Sequence, residues 1–333
     1  MRSRIKVLSG QSVVLLSVIL VMVSLCYAQG YPARAIDIVI PYGAGGGTDN
    51  FFRLIQPALS KELNVAVNIV NRTGGGGVVG TSFVANAKPD GYTLIGTTDS
   101  AFLLPEIVKP KTIPYHVLED FVPIAGLGWE PLIVVIRPVP EFESIKTFRD
   151  LVAYEKKNPG KLLTACAGVG SPCDIDLKIL KTTHGYDPRE MIMISGGEII
   201  TQILGGHLDW IIATVPVPKP HIQIGKLRAL AVVSPVRIPD FPQVPTMIEE
   251  GFPEVNVGMD FAALGPKGLS PEISERLGKA FEAVLKAPDV IEAAKKRGYG
   301  LKFIPSKPFG EQLAKSHARF TDICKKTPGM IEK

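Results

Sequence analysis

Apolar residues fall along this chain in two rhythms: compact blocks of five or six, and spread patterns with intervals of three and four. The block 36–40 is short and rich in isoleucine and valine, which predicts a buried strand. Behind it, Phe51, Leu54, Ile55, Ala58, Leu59 and Leu63 share one face at helical spacing, so 50–63 is expected to be a helix with a kink or late break at Pro57. A strand at 65–70, a helix at 78–87 and a strand at 92–96 continue the series. Strand, helix, strand is the rhythm of a doubly wound parallel sheet.

The grammar then repeats. Residues 105–123 are rich in proline and polar residues and read as loop with short helical turns. Strands are expected at 132–136, 161–164, 191–194, 208–213, 228–233 and 259–264, with helices at 147–158, 173–184, 198–204 and 273–286. Residues 288–333 read as helical scaffold. Composition shifts near 126–130 and 225–227 suggest a discontinuous first domain, 29–127 with 228–333, and an inserted second domain, 128–227. Two chain crossings between them suit a hinge.

Between the first strand and its helix lies Pro41-Tyr42-Gly43-Ala44-Gly45-Gly46-Gly47-Thr48-Asp49. A loop with almost no side chains, entering a helix, exposes unpaired N–H groups at the positive end of the helix dipole. It reads as an anion cradle or as a plain helix cap, with Asp49 serving as the cap. Gly75-Gly76-Gly77-Val78-Val79-Gly80 fits G-x-G-x-x-G with Asp99 about 20 residues on. Asn71-Arg72-Thr73 separates its first glycine from the strand, however, so a helix-opening turn is the stronger reading than a nicotinamide or flavin site. Neither glycine loop carries the lysine of a P-loop, there is no G-x-S-x-G or H-E-x-x-H, and the five histidines are scattered. No catalytic constellation, cofactor or metal site is expected.

The N-terminus changes the picture. Arg2, Arg4 and Lys6 precede an apolar run at 13–25 and the small residue Ala28, the pattern of a secretory signal peptide spanning 1–28. Its removal takes three charges from 37 basic residues and leaves 34 against 32 acidic ones, so the formal charge of +5 falls to nearly zero. That argues against nucleic-acid binding. Cys166, Cys173 and Cys324 remain. The Cys166–Cys173 spacing suits a small disulfide loop in an oxidising compartment and equally two free thiols.

Tyr31-Pro32, the glycine loop with its strand, Asn71-Arg72-Thr73-Gly74, Lys88-Pro89-Asp90-Gly91-Tyr92-Thr93-Leu94, Asn158-Pro159-Gly160-Lys161, Leu204-Gly205-Gly206, Gly225-Lys226-Leu227-Arg228-Ala229-Leu230-Ala231-Val232 and Val244-Pro245-Thr246 together resemble the Bug family over residues 31–320. These are periplasmic solute-binding receptors of tripartite tricarboxylate transporters. The resemblance implies a two-domain α/β flytrap fold, each domain a doubly wound, mostly parallel sheet. It also implies capture of a small organic carboxylate by loop backbone groups and water, and delivery to membrane transporter subunits by a monomeric receptor. Ala44, Gly46, Gly47, Thr48 and Asp49 would form one ligand loop, and Gly168, Gly170 and Ser171 the facing one. Thr98, Asp99, Ser100, Ser195, Gly196, Asp260 and Phe261 would line the rest.

Two departures bear on the ligand. Ile194-Ser195-Gly196 stands where many members have tyrosine-lysine-glycine, so a commonly cationic position is lost. Asp260 at the pocket wall would repel a second carboxylate or attract an amino group. A monocarboxylate or amino-acid-like ligand is expected ahead of a tricarboxylate. The rival readings are a dinucleotide-binding α/β enzyme and an orphan receptor that reports ligand to a signalling partner.

Overall fold

The structure, a computed structural model, describes residues 30–166, 171–186, 188–192, 196–234, 236–255, 259–326 and 329–332. The expectations for the signal peptide at 1–28 and for Gly168, Gly170 and Ser195 lie outside these residues.

The chain enters through β1 (Ile36–Ile40), α1 (Gly47–Leu63), β2 (Val67–Asn71), α2 (Val78–Ala85), β3 (Thr93–Thr98) and α3 (Asp99–Val108), then runs along β4 (Phe121–Glu130) and directly into β5 (Leu132–Ile136). It continues as α4 (Phe148–Lys157), β6 (Leu163–Cys166), α5 (Pro172–His184), β7 (Arg189–Ile192), α6 (Gly196–Leu204), β8 (Trp210–Thr214), α7 (Lys219–Gln223) and β9 (Arg228–Val233). It closes with β10 (Met259–Pro266), α8 (Pro271–Leu285), α9 (Pro288–Arg297), β11 (Gly300–Pro305) and α10 (Ser306–Lys326).

Six strands form one sheet in the order β11-β4-β10-β3-β1-β2. Strand β1 pairs in parallel with β2 and β3, whereas β10 and β11 are antiparallel to their neighbours. Alternation along β1 sends Ile36, Ile38 and Ile40 to the face covered by Phe51, Ile55, Leu277 and Phe281, and Val39 to the face of Phe102, Phe309 and Phe320. A second sheet, β8-β5-β9, is antiparallel, and β6 pairs in parallel with β7. Asp209 donates its N–H to the Leu163 carbonyl at 2.8 Å, tying the β6–β7 pair to the β8 side. The fold is mixed α/β, with a parallel core of β1, β2 and β3 in its larger sheet.

Several expectations change. Helix α1 starts at Gly47, so the last of the glycines is its first turn, and it runs unbroken through Pro57. Burial of Phe51, Phe52, Ile55, Leu59 and Leu63 outweighs the roughly 3 kcal/mol a helix proline costs. Strand β4 occupies part of the expected loop, and β11 part of the expected helical scaffold. The boundaries at 127/128 and 227/228 also give way: β4 belongs to the six-stranded sheet up to Glu130, and Arg228–Val233 pairs with β5 in the three-stranded one. An all-apolar strand suits the inside of either sheet, so only pairing assigns it.

The second glycine loop explains itself by backbone conformation. Gly74, Gly75, Gly76 and Gly77 have φ of 133°, 60°, 69° and 100°, a region closed to most side chains. Among the described residues no group of three or more His, Cys, Asp or Glu is placed to hold a metal, and no helix is long and apolar enough to cross a membrane.

Candidate functional site

A cavity of about 130 Å³ lies where the start of α1 meets the start of α5. From the six-stranded side Tyr42, Gly43, Gly46, Gly47, Thr48 and Asp49 contribute; from the other side Ser171, Pro172 and Cys173 do. The remaining wall is apolar apart from Thr214: Leu132, Ile212, Ala213 and Val217 from the second sheet and its edge, Ile199 from α6, and Met259 from β10.

Both helix starts are built by sequence chemistry. Gly46 is the N-cap of α1, extended at ψ 166° and offering no side-chain cap bond, which leaves the first N–H groups of the helix uncapped by side chains. Ser171 caps α5 by accepting from the Asp174 N–H at 3.3 Å, with Pro172 in the first turn where its missing N–H costs nothing. Cys166 and Cys173 are joined in a disulfide with Cα atoms 5.6 Å apart, pinning the end of β6 to the first turn of α5. Two positive helix ends thus converge on one apolar cavity, the arrangement that receives an anion.

Asp49 organises the first loop instead of capping its helix. One carboxylate oxygen accepts from the Gly45 N–H and from Arg53 Nε, both at 2.9 Å, and the other accepts from Asn71 Nδ2 at 2.9 Å. Burial pushes this carboxyl up, but the bonds from Arg53, Gly45 and Asn71 prevail and hold it below its ordinary value. Its charge is met by Arg53 within the loop and is not presented to the cavity as a free anion. Asn71 also donates to the Tyr42 carbonyl at 3.0 Å, and the Tyr42 hydroxyl donates to the carbonyls of Ala101 at 3.0 Å and Gly76 at 3.2 Å. The two glycine loops are therefore braced against each other.

Of the residues expected at the ligand, Gly46, Gly47, Thr48, Asp49 and Ser171 come together on the cavity. Ala44 stands exposed, off the wall, and Gly196 is the first residue of α6. Thr98, Asp99, Ser100, Asp260 and Phe261 are placed elsewhere. Phe261 is wholly buried, stacked 3.7 Å from Phe51 and edge-on to Tyr299. Asp260, one residue earlier, takes the opposite face and accepts from Gln312 Nε2 of α10 at 2.8 Å. Asp99 accepts from the N–H groups of Ser100 and Asp260 at 2.6 and 3.0 Å and from the Ser316 hydroxyl at 3.2 Å. Burial and then the Asp260 carboxylate raise Asp99 to about 7. Thr98 and Ser100 are buried. These acids hold β10 to α10, and the argument that Asp260 repels a second ligand carboxylate loses its basis.

Sequence reasoning missed Glu130. It ends β4 at the crossing into β5, is 1% exposed, and among the described residues the Thr214 side chain is the one hydrogen-bonding group that acts on its carboxyl. Its carboxyl fills the space that a Cβ on Gly47 would take. Burial raises it to about 8, with Thr214 alone pulling the other way. The signal in the sequence was a single acid between Trp129 and Pro131, ahead of an all-apolar strand.

The model of the tripartite tricarboxylate transporter family receptor matches residues 51–327. Protein BugT of Bordetella pertussis is 35% identical over 271 residues, 81% of this chain and 82% of that protein. The structure of periplasmic binding protein BugD superposes with a TM-score of 0.83 at 26% identity, covering 91% of this chain and all of the other. MatC from Rhodopseudomonas palustris, with bound malate, does so with a TM-score of 0.78 at 26% identity, covering 88% of this chain and 99% of that one. The chain belongs to the tripartite tricarboxylate transporter receptor family and is a solute-binding receptor.

Proposed function

We propose that this receptor holds one carboxylate of a small organic acid between the first turns of α1 and α5, with the rest of the ligand against the apolar wall. The observation that carries the reading is the convergence of both helix N-termini on a single cavity whose described lining contains no lysine, arginine or histidine. One carboxylate finds backbone donors there; a second or third finds no described cation, which favours a monocarboxylate, or a short acid with one clamped carboxylate, over a tricarboxylate. The malate held by MatC makes malate a natural probe.

In this reading residues 1–28 are removed on export to the periplasm, and the monomeric receptor closes about its two strand crossings, 130–132 and the return between β9 and β10. Closure hands the buried ligand to the membrane subunits of the transporter. A calorimetric and thermal-shift screen of mono-, di- and tricarboxylates tests the ligand class. Stabilisation by a mono- or dicarboxylate is expected. A response to citrate alone would reverse the ranking, and a response to no carboxylate would refute the reading. Intact mass of the exported protein checks the loss of residues 1–28.

A further inference from the structure

Glu130 lies at a junction of every part that matters to ligand capture. Its backbone ends β4 and pairs with Met259 of β10. Thr214, on β8 of the second sheet, is the polar group that acts on it from that side. Its carboxyl presses on Gly47, whose Cβ, were there one, would sit 2.6 Å from Glu130 Cδ. Gly47, Thr214 and Met259 all line the cavity. The acid is therefore packed under the first turn of α1, beneath the anion seat, with the neutral Thr214 side chain as its polar partner.

Among the described residues, the groups facing it supply no compensating positive charge. From α1 comes Asp49, whose carboxylate is already bound to Arg53. From the segment before β11 comes the Tyr299 phenol, which donates to the Gly47 carbonyl at 3.3 Å and feels both Glu130 and Asp49. Arg297 acts on Tyr299 but not on Glu130. From β8 there is Thr214, and from β10 the uncharged Met259; the Asp260 side chain that follows points away to Gln312. A carboxylate ionised in this place has no cation partner and lies against the same helix N-terminus that the ligand anion uses. Two negative charges then compete for one positive helix end.

Resting on the clamp reading above, we propose that Glu130 is the protonation partner of the anion seat: it must be neutral for the ligand carboxylate to bind tightly, so capture retains one proton on the protein. When the receptor starts with Glu130 ionised, binding takes that proton from solvent. By reciprocity, a bound anion holds the proton more firmly. The raised value of about 8 agrees with this, because the acid is then protonated at neutral pH and the seat is open. The role is one of positioning charge; Glu130 does not line the cavity itself.

The test uses the mature chain and its Glu130→Gln variant, which keeps the shape and removes the ionisation. Malate, and whichever monocarboxylate the screen selects, are titrated calorimetrically from pH 6 to pH 10. In the wild type, affinity is expected to be flat below pH 8 and to fall about tenfold per unit above it; in Glu130→Gln it stays flat throughout. Calorimetry at pH 8.5 in two buffers of different ionisation enthalpy then shows proton uptake in the wild type and none in the variant. Carboxyl-carbon NMR of the unliganded wild type follows Glu130 directly and needs no variant. A midpoint in the ordinary glutamate range, or equal pH profiles in the two proteins, would overturn the coupling while leaving the receptor reading intact. Binding of no carboxylate by either protein at any pH would refute the receptor reading, and the coupling with it.

Discussion

Replacing Gly47 by alanine puts a methyl group where the Glu130 carboxyl already is. The added Cβ would lie 2.6 Å from Glu130 Cδ, against 3.4–4 Å for ordinary contact, an overlap of roughly 1 Å. Glu130 has no route to solvent, being 1% exposed and enclosed by β10, β8 and Tyr299. Overpacking of this kind costs about 1–3 kcal/mol. Against it, Gly47 takes no positive φ, and alanine in a helix at such a position gains up to about 1 kcal/mol through the unfolded chain. A net destabilisation of about 1–2 kcal/mol is expected, read as a lower urea midpoint with unchanged slope. Glu130→Ala empties the contested space, so the double variant is expected to be more stable than the two single effects predict by about 1–2 kcal/mol. If Gly47→Ala proves as stable as the wild type, or if the two effects simply add, the claim that Gly47 is glycine because of Glu130 is wrong.

Three further outcomes follow from the geometry. Asp49→Ala removes the acceptor shared by Gly45, Arg53 and Asn71; it is expected to cost about 1–3 kcal/mol and to weaken carboxylate binding at least tenfold, as measured by denaturation and calorimetry. Cys166→Ser with Cys173→Ser opens a loop of sequence separation 7, for a loss of about 2 kcal/mol; denatured thiol titration should find Cys324 free and the other two reactive only after reduction. For Asp99, the unfolded chain releases its proton near 3.8 and the folded chain near 7, so ionisation favours unfolding and wild-type stability from this group is lost as pH rises between those values. Asp99→Asn escapes that loss, its advantage over the wild type growing from pH 4 to pH 7; parallel stability curves would exclude the effect.

What could be read from the chain depended on whether a residue's role is local. The strands at 36–40 and 132–136 are compact β-branched blocks, and the glycine run before Thr48 and the Ser171-Pro172 start are local cap chemistry, so both helix starts on the cavity were visible. Strand β4 was hidden because Pro123, Gly126 and Gly128 interrupt its pattern. These residues answer to tertiary contacts instead: a Cβ at Gly126 would meet Phe309 at 2.9 Å, and Gly128 takes a φ of 135° against Gly300. The positions of Asp260 and Phe261 are a question of register, since alternation along β10 sends Asp260 to α10 and Phe261 to the core against Phe51. Glu130 carried only a faint local signature, a lone acid ahead of an apolar strand. Its meaning comes from Gly47, 83 positions away in the chain.

The cavity separates two tasks that many binding sites entangle. In the proposed clamp the grip on a carboxylate comes from main-chain groups at two helix starts, while Ile199, Ile212 and Met259 on the cavity wall would decide what else fits. Exchanging those three side chains for larger or smaller ones alters the length and breadth of the acceptable acid without dismantling the anchor. A lineage carrying this fold can therefore change its diet through a few apolar substitutions, keeping the machinery of capture unaltered.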